Sequence, residues 1–304
     1  MAGRLIECVP NFSEGRDTGK VARIAEAMAA VKEAFVLDCH MDPDHNRSVI
    51  TVAGPPEAVM ESVLRGAGEA VVLIDLNRHR GVHPRIGAVD VVPFVPLAGL
   101  TMAESAAFAV LTGEQFWRRF RVPVYLYEAA ARVPERSDLA FVRRGQFESL
   151  RARAPKDPLA RPDIGGPELH PAAGASAIGA RGYLVACNVV LETGDVTIAR
   201  DIARRVRASS GGFAGVKALG VPLASRGLSQ VTMNLTDIYR VSADELFDAI
   251  GRQAGERGVK VVETEIVGLV PADAYEKAPD FYRRAVNFRP DVILENRLAA
   301  LQSK

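Results

Sequence analysis

Twice along this chain, apolar residues change period in the order strand, helix, strand, strand, helix, strand. In the second half the string is GYLVACNVVLE (182–192), helical DVTIARDIARRVRAS (195–209), GVKALGVPLA (215–224), LSQVTMNLT (228–236), helical SADELFDAIGRQAGERG (242–258) and VKVVETEIVGLV (259–270). Ser225–Gly227 reads as a hairpin turn, and Ser242 with Glu245 as a capping box. In the first half the same order runs through strand 5–9, helix 19–31, strands 34–38 and 48–54, helix 55–75 and strand 89–95. This order is the split unit of ferredoxin-like folds. Its crossovers put helices on one face of a mainly antiparallel sheet. The expectation is therefore an α+β chain of two ferredoxin-like (βαββαβ-type) lobes.

Between the two strings lie a helix at 101–120, a strand at 122–128, and a stretch at 132–180 with short helical pieces and much Pro, Gly and Ala. Such composition marks a boundary. The lobes are expected at 1–180 and 181–304. Strand 89–97 carries Pro93 and Pro96, which favours a sheet edge or an irregular ladder.

The chain has 304 residues, enough for two domains, and a net charge of +1. That balance gives no bulk support for nucleic acid or an anionic membrane as partner. Three cysteines without a CxxC pair argue against a disulfide framework and for a reducing, cytoplasmic setting. The first residues lack the apolar core of a signal peptide, and no apolar run approaches the ~18 residues of a membrane span. No Walker A, GxSxG or strand-following GxGxxG pattern is present, which weighs against nucleotide hydrolysis, common serine hydrolases and dinucleotide redox chemistry.

Four polar clusters are candidates for chemistry. HRGVHPRIGAVDVVPFVPL (79–97) holds His79, His83 and Arg85 just before an apolar strand. His79 and His83 have helical spacing, but Gly81 and Pro84 make a loop the better reading. A titratable group fixed there would lie against a low-dielectric wall. DCHMDPDHNRS (38–48) contains His40 and Arg47 and reads as a pocket wall or a solvated turn. PNFSEGR (10–16) places Asn11 and Ser13 between a strand and a helix, where backbone N–H groups stand free, or as plain caps. DIGGPELHPAAG (163–174) reads as a mobile or tightly bent loop, or as a linker. Asn188, at the end of a second-lobe strand, either reaches a ligand or holds its strand by an internal bond.

Together ECVPNFSEGR (7–16), DHNRSVIT (44–51), VAGPPEAV (52–59), HRGVHPRIGAVDVVPFVPL (79–97) and VPVYLYEAAAR (122–132) resemble the formiminotransferase family. GARGYLVACNVVL (179–191), LSQVTMNLTD (228–237) and VKVVETEIVGLVPADA (259–274) extend the likeness over nearly the whole chain. The resemblance implies transfer of the formimino group of N-formimino-L-glutamate to N5 of tetrahydrofolate, a step of histidine degradation and one-carbon metabolism. It implies two ferredoxin-like lobes with a folate cleft between them, tetrahydrofolate as co-substrate, no metal, and a homodimer. It makes His83 the catalytic histidine, with His40 at a supporting position. It also turns the 165–174 segment, with Gly165, Gly166, Pro167, His170 and Gly174, into a folate-binding loop. Two positions depart from animal members: His40 stands where they are often acidic, and Ala173 where they carry an aromatic ring. Asp38, Asp42 and Asp44 are candidates to stand in for the missing acid.

The chemistry suits an imidazole. N5 attacks an amidinium carbon and becomes positive, a base takes its proton, and the glutamate nitrogen needs a proton to leave. One imidazole does both near neutral pH. Substrate carboxylates call for arginine forks, and Arg47 and Arg85 are the candidates unless they pair with Asp44 or Asp90. The competing readings are a metal-dependent formiminoglutamate hydrolase using His40, His45, His79 and His83, a folate carrier without turnover, and a transferase for formylglutamate or formiminoglycine.

Overall fold

Pro10 has no N–H to give a ladder, and it splits the first strand into β1 (Leu5–Cys8) and β2 (Asn11–Phe12). The computed structural model describes residues 4–302. The chain divides into two units, Met1–Gly182 and Tyr183–Lys304.

In the first unit, α1 (Thr18–Ala29) is capped by Asp17, whose side chain accepts from Lys20 N–H. It leads to β3 (Phe35–Asp42), β4 (Arg47–Gly54), α2 (Pro56–Leu73) and β5 (Val89–Ala98). Strands β3, β4, the broken β1/β2 and β5 are neighbours in that order, all antiparallel. Next come α3 (Met102–Phe120), closed by a Thr101–Glu104 capping box, and β6 (Val124–Glu128). Two short helices, α4 (Leu139–Val142) and α5 (Gln146–Arg153), precede β7 (Ser176–Ala180).

Strand β7 is the element least visible in the sequence. It lies between β5 and β6 and is parallel to both, so the first sheet is mixed: its pairings are antiparallel except for the two made by β7. It also makes β5 an interior strand, so the expected edge position is corrected. The two prolines are accommodated by irregularity: the register of β5 shifts against both β1 and β2. Residues 132–180 therefore belong to the first unit, and 163–174 is not a linker. Helices α1, α2 and α3 pack on one face, where Ile24, Met28, Val63, Phe94, Phe116 and Ile178 are buried. On the other face Tyr125 lies under the Arg136 guanidinium and donates its hydroxyl to Ala160 O at 2.6 Å.

The second unit runs β8 (Val185–Leu191), α6 (Val196–Val206), β9 (Val216–Leu223), β10 (Leu228–Leu235), α7 (Ala243–Gly255) and β11 (Val261–Val267). The order across the sheet is β11-β8-β10-β9, antiparallel throughout. The hairpin turns at 224–227, with Gly227 at a φ of 65°, and Ser242 forms the capping box with Glu245. Three further helices, α8 (Ala272–Lys277), α9 (Pro279–Arg284) and α10 (Leu294–Gln302), complete it. In each unit the four strands of the common string stand in the order second, third, first, fourth. The repeated rhythm is thus a repeated topology, to which the first unit adds β6 and β7.

Candidate functional site

Asn46 organises the site. It sits in the β3–β4 turn with a φ of 49°, a left-handed conformation that Asn tolerates better than most residues. Its side-chain oxygen accepts from Gly15 N–H at 3.0 Å, and its amide donates to Arg80 O at 2.9 Å. Its own carbonyl accepts from His79 Nε2 at 2.8 Å. Gly81 is pressed against this turn, where a Cβ would come within 2.3 Å of His45 O. The 79–86 loop is thereby laced to the β3–β4 turn.

The other side of that loop is held by arginines. Arg85 donates from Nε to His79 Nδ1 at 3.1 Å. Since Arg only donates, His79 carries its hydrogen on Nε2 and is neutral. Burial lowers its pKa despite the bond to Asn46 O, and Arg85 adds to that. The two remaining Arg85 nitrogens form a fork on Glu148, at 2.9 and 2.7 Å. Neither Asp44 nor Asp90 is the partner. Both ring nitrogens of His79 and the guanidinium of Arg85 are thus committed to the protein, as braces for the loop that carries His83. The hydrogen bond from Arg85 holds the Glu148 carboxyl down to about 2, against an ordinary 4.5. A depressed folded-state value stabilises above the unfolded pKa and is lost as pH falls through the folded one. Glu148→Gln is expected to flatten the part of the stability–pH curve between about 4.5 and 2, read from urea midpoints.

His83 itself is half-buried. Its Nε2 lies 3.4 Å from Arg47 Nη1 and must be the accepting nitrogen, which puts its hydrogen on Nδ1. Burial pushes its pKa well below the ordinary imidazole value, and the charges of Arg47 and Arg143 add to this, followed by His45 and His79. It is neutral at pH 7. Cross-strand pairing puts Asn11, His40, Asp42 and Arg47 on one face of the sheet, because Asp42 pairs Arg47, His40 pairs Val49, and Val49 also pairs Asn11. Arg47 donates to Asn11 Oδ1 at 3.0 Å. Among the described residues no carboxylate forms an ion pair with it, and its Nε is buried without a partner. Burial, and then the charge of Arg143, push its pKa down to about 10.

Arg143 is the member that sequence reading passed over. It follows α4, pairs with the buried Asp90, and has an unpartnered buried Nε. Asp90 also accepts from Ile86 N–H at 2.7 Å, so one carboxylate ties Arg143 to the base of the His83 loop. The 53-residue separation of this pair hides it from any local sequence pattern.

The remaining candidates fall in three places. Ser13 donates its hydroxyl to Gly87 O at 2.7 Å and its N–H to Ala88 O, so it anchors rather than offers. The N–H groups leading into α1 are not free either: Glu14 takes those of Arg16 and Asp17, and Asn46 that of Gly15. The 165–174 segment lies alongside the His83 loop. Ala88 N–H bonds Ala173 O, Ala175 N–H bonds Ile86 O, and Gly174 (φ 71°) sits so close that a Cβ would meet Ile86 O at 2.1 Å. Gly165, Gly166 and Pro167 form its exposed tip with a cis Gly166–Pro167 bond. His170 closes its base by accepting Ala173 N–H at 2.9 Å. Asn188 lies in the second unit, where its amide bonds Glu265 at 2.8 Å across the β8–β11 pair. No three His, Cys, Asp or Glu side chains among the described residues are grouped to hold one metal ion, so the four-histidine ligand set is not assembled.

A family model for the formiminotransferase domain, N-terminal subdomain, matches residues 5–181, and one for the formiminotransferase domain matches residues 186–297. The chain belongs to the formiminotransferase family. It is 42% identical to a glutamate formimidoyltransferase of Thermoplasma acidophilum over 97% of both chains. It is 38% identical to one of Streptococcus pyogenes, over 97% of this chain and 99% of that one. A formimidoyltransferase-cyclodeaminase of Sus scrofa is 39% identical over 92% of this chain, which spans 52% of that longer protein. No helix among the described residues is long and apolar enough to cross a membrane, and Cys8, Cys39 and Cys187 are free thiols.

Proposed function

We infer that this member of the family transfers the formimino group of N-formimino-L-glutamate to N5 of tetrahydrofolate, giving 5-formiminotetrahydrofolate and L-glutamate. Near-full-length likeness to two glutamate formimidoyltransferases supports the reaction. The observation that carries it to residues is a neutral imidazole, His83, beside a half-buried guanidinium, Arg47, that has no ion-paired carboxylate among the described residues. Arg47 takes a substrate carboxylate, with the unpartnered Nε of Arg143 next to it. N5 forms its bond to the formimino carbon, His83 receives the N5 proton, and the carbon–nitrogen bond to glutamate breaks as that nitrogen gains a proton. No proton is gained or lost overall. His40 lies on the same sheet face as Asp42, and Asp42 is the carboxylate bonded into this site where animal members carry an acid at position 40. The 165–174 loop, held against the His83 loop, is the folate contact. The same reading carries no metal, a cytoplasmic location and a homodimer.

The test is an assay with tetrahydrofolate and three donors, following the acid-cyclised methenyl product by absorbance. Rapid transfer from formiminoglutamate, insensitive to chelator, is expected. Transfer from formylglutamate or formiminoglycine alone would replace the donor, and folate-independent release of formamide or ammonia would replace the reaction.

A further inference from the structure

A second imidazole stands beside His83. His45 is only 4% exposed, in the turn between β3 and β4. Its Nδ1 bonds the Asp42 carboxylate, which also accepts the His45 backbone N–H at 2.8 Å. A carboxylate only accepts, so Nδ1 bears the hydrogen and Nε2 is the open nitrogen. The rings of His45 and His83 are perpendicular, with centroids 5.9 Å apart. No hydrogen bond joins the two rings directly, and a gap of this size is one that a single water bridges.

His83 is a constrained shuttle by itself. Its Nε2 lone pair faces an Arg47 N–H, and its Nδ1 carries a hydrogen. Two guanidinium groups oppose positive charge on the ring. A proton arriving there needs an outlet. An imidazole fixed by a carboxylate at one nitrogen and open at the other is what general acid–base chemistry uses for such an outlet.

We propose that His45, held by Asp42, is a relay residue acting through His83: as His83 takes the N5 proton, its own Nδ1 proton passes to His45 Nε2. The same proton returns when His83 protonates the departing glutamate nitrogen. One N–H bond breaks for each that forms, and the relay ends as it began. Asp42 from β3 bonds His45 and the His83 ring of the 79–86 loop stands against it; the charges around this pair are His40, which acts on Asp42, and Arg47, Arg143 and His79, which act on His83. Burial works to raise the Asp42 pKa, but the hydrogen bond and charge of His45, with His40 behind, hold it below its ordinary value.

The relay rests on the transfer reaction proposed for this site. Its test is steady-state kinetics against pH for wild type, His45→Gln, His45→Ala and Asp42→Asn, each checked for folding by thermal melting. The expected result for His45→Gln is a kcat lower by about 10²-fold with KM for both substrates unchanged and an altered kcat–pH profile. Added imidazole restores kcat in His45→Ala. Asp42→Asn moves kcat and the pH profile the same way by a smaller factor, and it decides the matter should the His45 variants fail to fold. An unchanged kcat and pH profile in a folded His45→Gln, or a loss that imidazole does not rescue and that raises KM equally, overturns the relay while leaving the transfer reaction intact. A wild type without transfer overturns both.

Discussion

His83→Ala is expected to lower kcat by about 10³-fold while KM for formiminoglutamate changes little. General acid–base catalysis contributes about 10²–10⁴ in rate, and in the proposed reaction this ring moves the proton. Its partners predict the split. Arg47 remains bonded to Asn11 when the ring is removed, and the loop remains braced by the His79–Arg85–Glu148 chain. The carboxylate contact therefore survives while the base is lost. The pH profile gives a second reading. The proposed reaction needs neutral His83, and burial with the nearby guanidinium groups pushes its pKa well below 6.5. The acid limb of kcat/KM in wild type thus lies below pH 6.5 and vanishes from the residual rate of the variant. Steady-state kinetics from pH 5 to 8 measure both. A variant with wild-type kcat would remove His83 from the chemistry.

The sequence exposes what is local. Period, caps and turn residues located α1 to α3, the β9–β10 hairpin and the Ser242 capping box within a few residues, because each depends on neighbours in the chain. The His83 loop was legible for the same reason: Gly81 and Pro84 break any helix there. What escaped depends on partners far along the chain. Strand β7 reads SAIGA, small residues without alternation, and becomes a strand through parallel pairing on both sides. Arg85 finds Glu148 and Arg143 finds Asp90 across 63 and 53 positions, and no local pattern announces such pairs. The division of labour among polar residues was hidden equally. His79 and Arg85 look as reactive in sequence as His83 and Arg47. Their bonding alone separates the braces from the groups left free to act.

Arg47→Met is expected to raise KM for formiminoglutamate by about 100-fold and at the same time to leave the free protein as stable or about 1 kcal/mol more so. The two effects have one origin. Arg47 is a half-buried cation with no ion-paired carboxylate among the described residues, its Nε buried and unpartnered, its pKa pushed down to about 10 by desolvation and by Arg143 against the opposing charges of Asp42 and Asp90. Desolvating a charge that no carboxylate pairs directly costs free energy, so a methionine of similar volume removes a cost that, in the proposed reaction, a substrate carboxylate offsets. A lost charge-assisted carboxylate contact of about 2.7 kcal/mol corresponds to the 100-fold change. Arg85→Met should behave in the opposite way. That guanidinium is itself buried, bonded to the buried His79 and forked on Glu148, so its removal leaves His79 Nδ1 without its donor, frees the 79–86 loop from α5 and lowers the melting temperature. Thermal melting and KM measured on the two variants side by side separate the roles. A destabilised Arg47→Met with unaltered KM would make Arg47 another brace, and the carboxylate of the donor would then need a different partner.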